Sequence, residues 1–107
     1  MKENKEKADR QKATQKQNMT TFTAWERFTE YLEAQAATNI TFKSYLAVAK
    51  TMGSKYRGYI PEVAIKDLTP TNFRIWVAAL NKIDSAGGEY VRHMVGNVKR
   101  FNNWLGD

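Results

Sequence analysis

The 107-residue chain contains no cysteine, a single histidine and only two prolines. Without a thiol it can form no disulfide framework, offers no cysteine nucleophile and builds no cysteine-ligated zinc site. His93 alone excludes a histidine-rich metal centre, so no metal or cofactor is expected. Apolar runs are only a few residues long, far short of the roughly 20 that a membrane-spanning helix requires. The N-terminus also lacks the apolar stretch of a signal peptide, so the expectation is a soluble, cytoplasmic protein with no membrane partner. No stretch alternates with period two for long enough to make a strand, and the fold class expected is all-α.

What is present is positive charge. Seventeen Lys and Arg against 11 Asp and Glu give +6, with an isoelectric point near 9.7, so a polyanion is the first partner to consider. The length suits one domain, and 42% hydrophobic residues with 12% aromatics suffice for one core but not for burial throughout. Residues 1–18 contain no aromatic and no Val, Ile or Leu. Six basic residues against three acidic ones give this segment +3, and it reads as a basic linker or tail, leaving 19–107 as the folded domain.

Four helices are predicted. Thr23-Ala24-Trp25-Glu26 reads as a capping box with Phe22 as a staple, starting a first helix near Ala24 whose stripe is Trp25, Phe28, Leu32 and Ala36. A second helix runs from about Thr41 to Arg57, with Phe42, Tyr45, Ala49, Met52 and Tyr56 on its apolar side. Residues 58–68 form a loop that tucks Ile60, Val63, Ile65 and Leu68 against the core. Thr69-Pro70 caps a third helix, whose buried face is Phe73, Trp76, Val77 and Leu80. A turn from Asn81 to Gly88 leads to the fourth, which buries Val91, Met94, Val95, Val98, Phe101 and Leu105.

Charge is unevenly shared among these helices. The outer face of the first carries three Glu and one Arg, whereas the second holds four basic residues and no acid and the fourth holds three basic to one acidic. At 100° per residue, Lys43, Ala47, Lys50, Ser54 and Arg57 fall within about 80° of one another, opposite the aromatic stripe. Such segregation makes a directed field, although a basic stripe is also what a plainly solvated helix face looks like.

Catalysis finds little support. Tyr90 and Arg92 lie far apart around the helix, and a lone histidine beside an arginine reads as polar surface. Gly87-Gly88 before a helix could cradle a phosphate, but no strand precedes it and no P-loop Lys-Ser/Thr follows, so it reads as a turn.

The order of elements over residues 20–107 resembles the SAM-like, N-terminal core-binding domain of phage integrases and other tyrosine recombinases. The resemblance is carried by Thr21-Phe22-Thr23-Ala24-Trp25 at the first helix and Thr41-Phe42-Lys43-Ser44-Tyr45 at the second. Ile65-Lys66-Asp67-Leu68-Thr69-Pro70-Thr71-Asn72-Phe73 matches the segment leading into the third, and Val98-Lys99-Arg100-Phe101-Asn102-Asn103-Trp104 the end of the fourth. The family often has a Ser/Thr-rich start to the fourth helix, where this chain has Ser85-Ala86-Gly87-Gly88-Glu89-Tyr90.

The resemblance implies half of a C-shaped clamp on double-stranded DNA, with the second and fourth helices addressing the major groove and nearby phosphates, and a nucleoid association when bound. It also implies a C-terminal catalytic domain in the parent protein and neighbouring recombinase protomers as partners. None of the five Tyr here is then the nucleophile, and the chain itself is not an enzyme. Phosphate contacts are expected from Lys43, Lys50, Arg57, Arg92, Lys99 and Arg100, and base-edge or sugar contacts from Ser44, Ser54, Asn97 and Asn103. The alternative is a helical protein-interaction module whose basic face meets an acidic partner. Trp104, off the main core stripe, serves a protein contact, the missing domain, or burial at a helix end.

Overall fold

A computed structural model describes residues 19–83 and 87–106; the linker expected at 1–18 and most of the Asp84–Gly88 turn lie outside these residues. These residues hold four α-helices, α1 (Thr21–Ala36), α2 (Thr41–Ser54), α3 (Pro70–Asn81) and α4 (Gly88–Gly106), with 3₁₀ turns at Arg57–Tyr59 and Ile65–Asp67 between α2 and α3. Among the described residues there is no strand, and the all-α expectation holds. No helix of the described residues is long and apolar enough to cross a membrane.

α1 starts one turn earlier than its sequence suggests. Thr20, not Thr23, is the N-cap: its extended backbone turns into the helix and its hydroxyl accepts from the Thr23 amide at 3.3 Å. The cause is tertiary. Ile65 N–H donates to Met19 O at 2.8 Å, and Thr21 donates to Val63 O through both its amide (2.9 Å) and its hydroxyl (2.8 Å). The loop before α3 is thereby stitched to the start of α1, and the fully buried Thr21 carries the joint. α3 begins where expected. Thr69 and Asn72 cap each other reciprocally, the Thr69 hydroxyl accepting from Asn72 N–H at 3.3 Å and Asn72 Oδ1 accepting from Thr69 N–H at 3.1 Å, with Pro70 in the first turn.

α1 packs most extensively on α2, while α4 lies against both α2 and α3. Trp25 joins all four helices. Its ring meets Phe28 of α1 at 5.3 Å, Trp76 of α3 at 5.4 Å and Phe101 of α4 at 5.0 Å between centroids, and its Nε1 donates to Ala49 O of α2 at 3.0 Å. Gly53 of α2 lies flat against the same indole, where a Cβ would sit 3.4 Å from Cδ1. Trp76 is equally buried, yet its Nε1 finds no acceptor among the described residues.

The two tryptophans therefore give an internal comparison. Phenylalanine at either position removes the same ring atoms, but only Trp25→Phe also breaks a buried hydrogen bond. Trp25→Phe is expected to cost about 1 kcal/mol more than Trp76→Phe in denaturant melts. Equal losses would contradict the hydrogen-bond assignment.

Candidate nucleic-acid interface

The two helices richest in unopposed basic groups, α2 and α4, are neighbours in the fold. Their contact is polar as well as apolar. Asn97 Nδ2 donates to Tyr45 O at 3.0 Å, Arg100 Nη1 donates to Asn97 Oδ1 at 3.0 Å, and the Arg100 guanidinium lies 3.5 Å over the Tyr45 ring. Asn97 is completely buried. The expectation that it reads base edges is therefore corrected: both ends of its amide are committed to locking α2 to α4, and its side chain has no route to a ligand.

Lys43 and Lys50 stand exposed on α2, and Arg92 and Lys99 on α4. None has a carboxylate of the described residues within 4.0 Å; the ion pairs among those residues are Arg27 with Glu30 and Arg57 with Glu26. Unpaired surface cations keep their full field for an incoming anion. With Gly53 facing α1 and Tyr45 facing α4, the 100° spacing inclines Lys43 and Lys50 to the α1 side of α2. Arg92 and Lys99, seven residues apart and so nearly in line, incline to the α3 side of α4. The basic groups thus form two separate stripes, one on each helix, rather than one ridge.

Arg57 leaves the expected ridge. α2 stops at Ser54, and the chain turns so that the Arg57 guanidinium lies 4.4 Å over the Phe22 ring of α1 and 3.9 Å from Glu26 Oε1, with Nη1 at 3.5 Å from Gly53 O. It ties the end of α2 to α1, with Glu26 as a solvent-exposed ion-pair partner. Ser44 and Ser54 are exposed but donate back into their own helix, to Thr41 O at 3.1 Å and to Lys50 O at 3.0 Å. With the hydroxyl proton spent, each offers only acceptor capacity, which suits a base amino group and not a phosphate. Asn103 is exposed, and Arg100 is half-buried.

Arg74 was not among the residues singled out by the sequence. It lines a groove of about 330 Å³ between α3 and α4 together with Lys99, Asn81 and Asn102, over an apolar floor that includes Phe73 and Val77. The available signal was that Arg74 is the one charged residue in α3. Glu26, Glu30 and Glu33 are exposed on α1. Comparison of the chain with protein-family models, with curated proteins and with solved structures finds no match.

Proposed function

We propose that this domain grips duplex DNA with the α2–α4 face, as a core-binding domain of a tyrosine recombinase would, and that strand cleavage belongs to a catalytic domain elsewhere in the parent protein. One observation carries the reading: Lys43 and Lys50 on one helix and Arg92 and Lys99 on its neighbour are exposed with no carboxylate of the described residues paired to them, while the outer side of α1 carries Glu26, Glu30 and Glu33. Cationic stripes on two neighbouring helices would each meet a phosphate backbone bordering the groove. Point charges on flexible lysines supply affinity with little sequence preference, so base reading falls to Asn103, Ser44 and Ser54. The recombinase assignment adds the order of the four helices and the Thr-Pro entry to α3.

The test is a duplex titration at several salt concentrations. With about four to six phosphates neutralised, log K is expected to fall against log salt with a slope of roughly −4 to −5, at micromolar or weaker affinity near physiological salt. A flat response would contradict the reading and favour a protein partner for the same face.

A further inference from the structure

Between α1, α2 and the end of α4 lies a cleft of about 540 Å³, within the usual size of small-ligand sites. Two aromatic pairs line it. Tyr31 and Trp104 lie 6.5 Å apart between ring centroids, and Phe42 and Tyr45 lie 5.4 Å apart in an edge-to-face arrangement. Phe28 and Leu32 supply the remaining apolar lining, and Arg100 and Asn103 add polar groups beside the two tyrosines, with no carboxylate among the described lining residues.

Arg100 is held in place. Its guanidinium is stacked on Tyr45 at 3.5 Å and hydrogen-bonded through Nη1 to the buried Asn97 at 3.0 Å. Gly96 makes room for it, because a Cβ there would sit 3.1 Å from Nη1. A guanidinium carries five N–H donors, so the Asn97 bond leaves others free to meet an anion, and no carboxylate among the described residues pairs with it. A fixed fork of this kind suits phosphate bidentately.

We infer that this cleft binds an unpaired nucleotide of single-stranded nucleic acid, its base among the aromatic rings and its phosphate on Arg100. The aromatic lining selects a flat ring over a chain, the immobilised guanidinium selects an anion, and a nucleotide joins the two. A base in a duplex hides both faces in the stack, whereas an unpaired one offers them to aromatic side chains and to guanidinium planes. Asn103, with donor and acceptor on one amide, is placed to meet the base edge. The inference shares the preference for polyanions with the duplex reading but stands on its own residues, chiefly Tyr31, Phe42 and Trp104.

The experiment titrates the full chain with thymidine monophosphate, thymidine, inorganic phosphate and a short labelled oligothymidylate, following tryptophan fluorescence and the polarisation of the label. Trp25 and Trp76 are buried and Trp104 lines the cleft, so a saturable change reports the cleft, and Trp104→Phe should abolish it while oligothymidylate still binds. The monophosphate is expected to bind at least roughly tenfold more tightly than thymidine, the share of a charge-assisted contact. Phosphate alone should leave the fluorescence unchanged. Tyr31→Ala, at a position 39% exposed, should weaken oligothymidylate roughly tenfold by loss of stacking and leave duplex affinity unchanged, with Tyr31→Leu as the variant that keeps apolar packing. Arg100→Lys should lower the preference for monophosphate over thymidine. Equal binding of thymidine and its monophosphate, or single-strand affinity indifferent to both Tyr31 variants, would overturn the inference. Lys43→Ala with Lys50→Ala separates it from the duplex reading, since these residues lie outside the cleft and their loss should spare the monophosphate.

Discussion

Phe101→Ala is expected to cost about 3–5 kcal/mol of unfolding free energy, a large share of what a small domain possesses. The reason is its position. Phe101 is fully buried and its ring meets Trp25 at 5.0 Å, Phe28 at 5.5 Å, Trp76 at 6.0 Å and Trp104 at 6.1 Å between centroids, so truncation empties the junction of α1, α3 and α4. Lys99→Ala, two residues earlier on the exposed side of the same helix, should change the melt by no more than about 0.5 kcal/mol while weakening DNA binding. Thermal or denaturant melts of both variants check the assignment of the two faces of α4. Unfolding by Lys99→Ala, or an unchanged melt for Phe101→Ala, would reverse it.

The second large effect concerns affinity. Replacing Lys43 and Lys50 together by alanine should reduce the salt slope of duplex binding by about 2, one unit for each lost phosphate contact. At 0.15 M salt, the counterion-release relation assigns each contact roughly a fivefold share, so the pair should lower affinity roughly thirtyfold. Glu30→Gln with Glu33→Gln changes net charge by the same amount in the other direction, on α1. It should raise affinity only slightly, because those carboxylates belong to α1 and not to the two helices proposed to meet DNA. Effects of equal size from the two pairs, measured as slopes of log K against log salt, would mean that net charge matters and its placement does not.

The helices themselves were legible because their signals are local. Periodicity placed Trp25, Phe28, Leu32, Met52, Trp76, Leu80, Met94, Val98 and Phe101 in the core, and all are buried. Thr69-Pro70 located the start of α3 because proline fixes the backbone there whatever surrounds it. The start of α1 was less readable. Three threonines lie within four residues, and the choice of Thr20 as the cap depends on hydrogen bonds to Val63 and Ile65, more than 40 residues away in sequence.

The site was readable in outline and not in detail, for the same reason. Arg57 joined the ridge only if α2 continued to it; with the helix ending at Ser54, the wheel no longer gives its direction, and Phe22 and Glu26 claim the side chain. Asn97 has the chemistry of a base reader, and its position at the edge of the apolar stripe fits either role. Only the carbonyl of Tyr45 opposite it decides for burial. The aromatic cleft was invisible to any single helix, since Tyr31, Phe42 and Trp104 come from three of them.

The claim at the centre of this account is that α2 and α4 together form the face that meets duplex DNA, and backbone amide chemical shifts mapped during titration with a short duplex test it residue by residue. Shifts are expected to concentrate on residues 43–55 and 92–103 and to leave the outer face of α1 around Glu26, Glu30 and Glu33 unmoved. Shifts centred on α1, or spread evenly over every exposed lysine and arginine including Arg27 and Lys82, would contradict it.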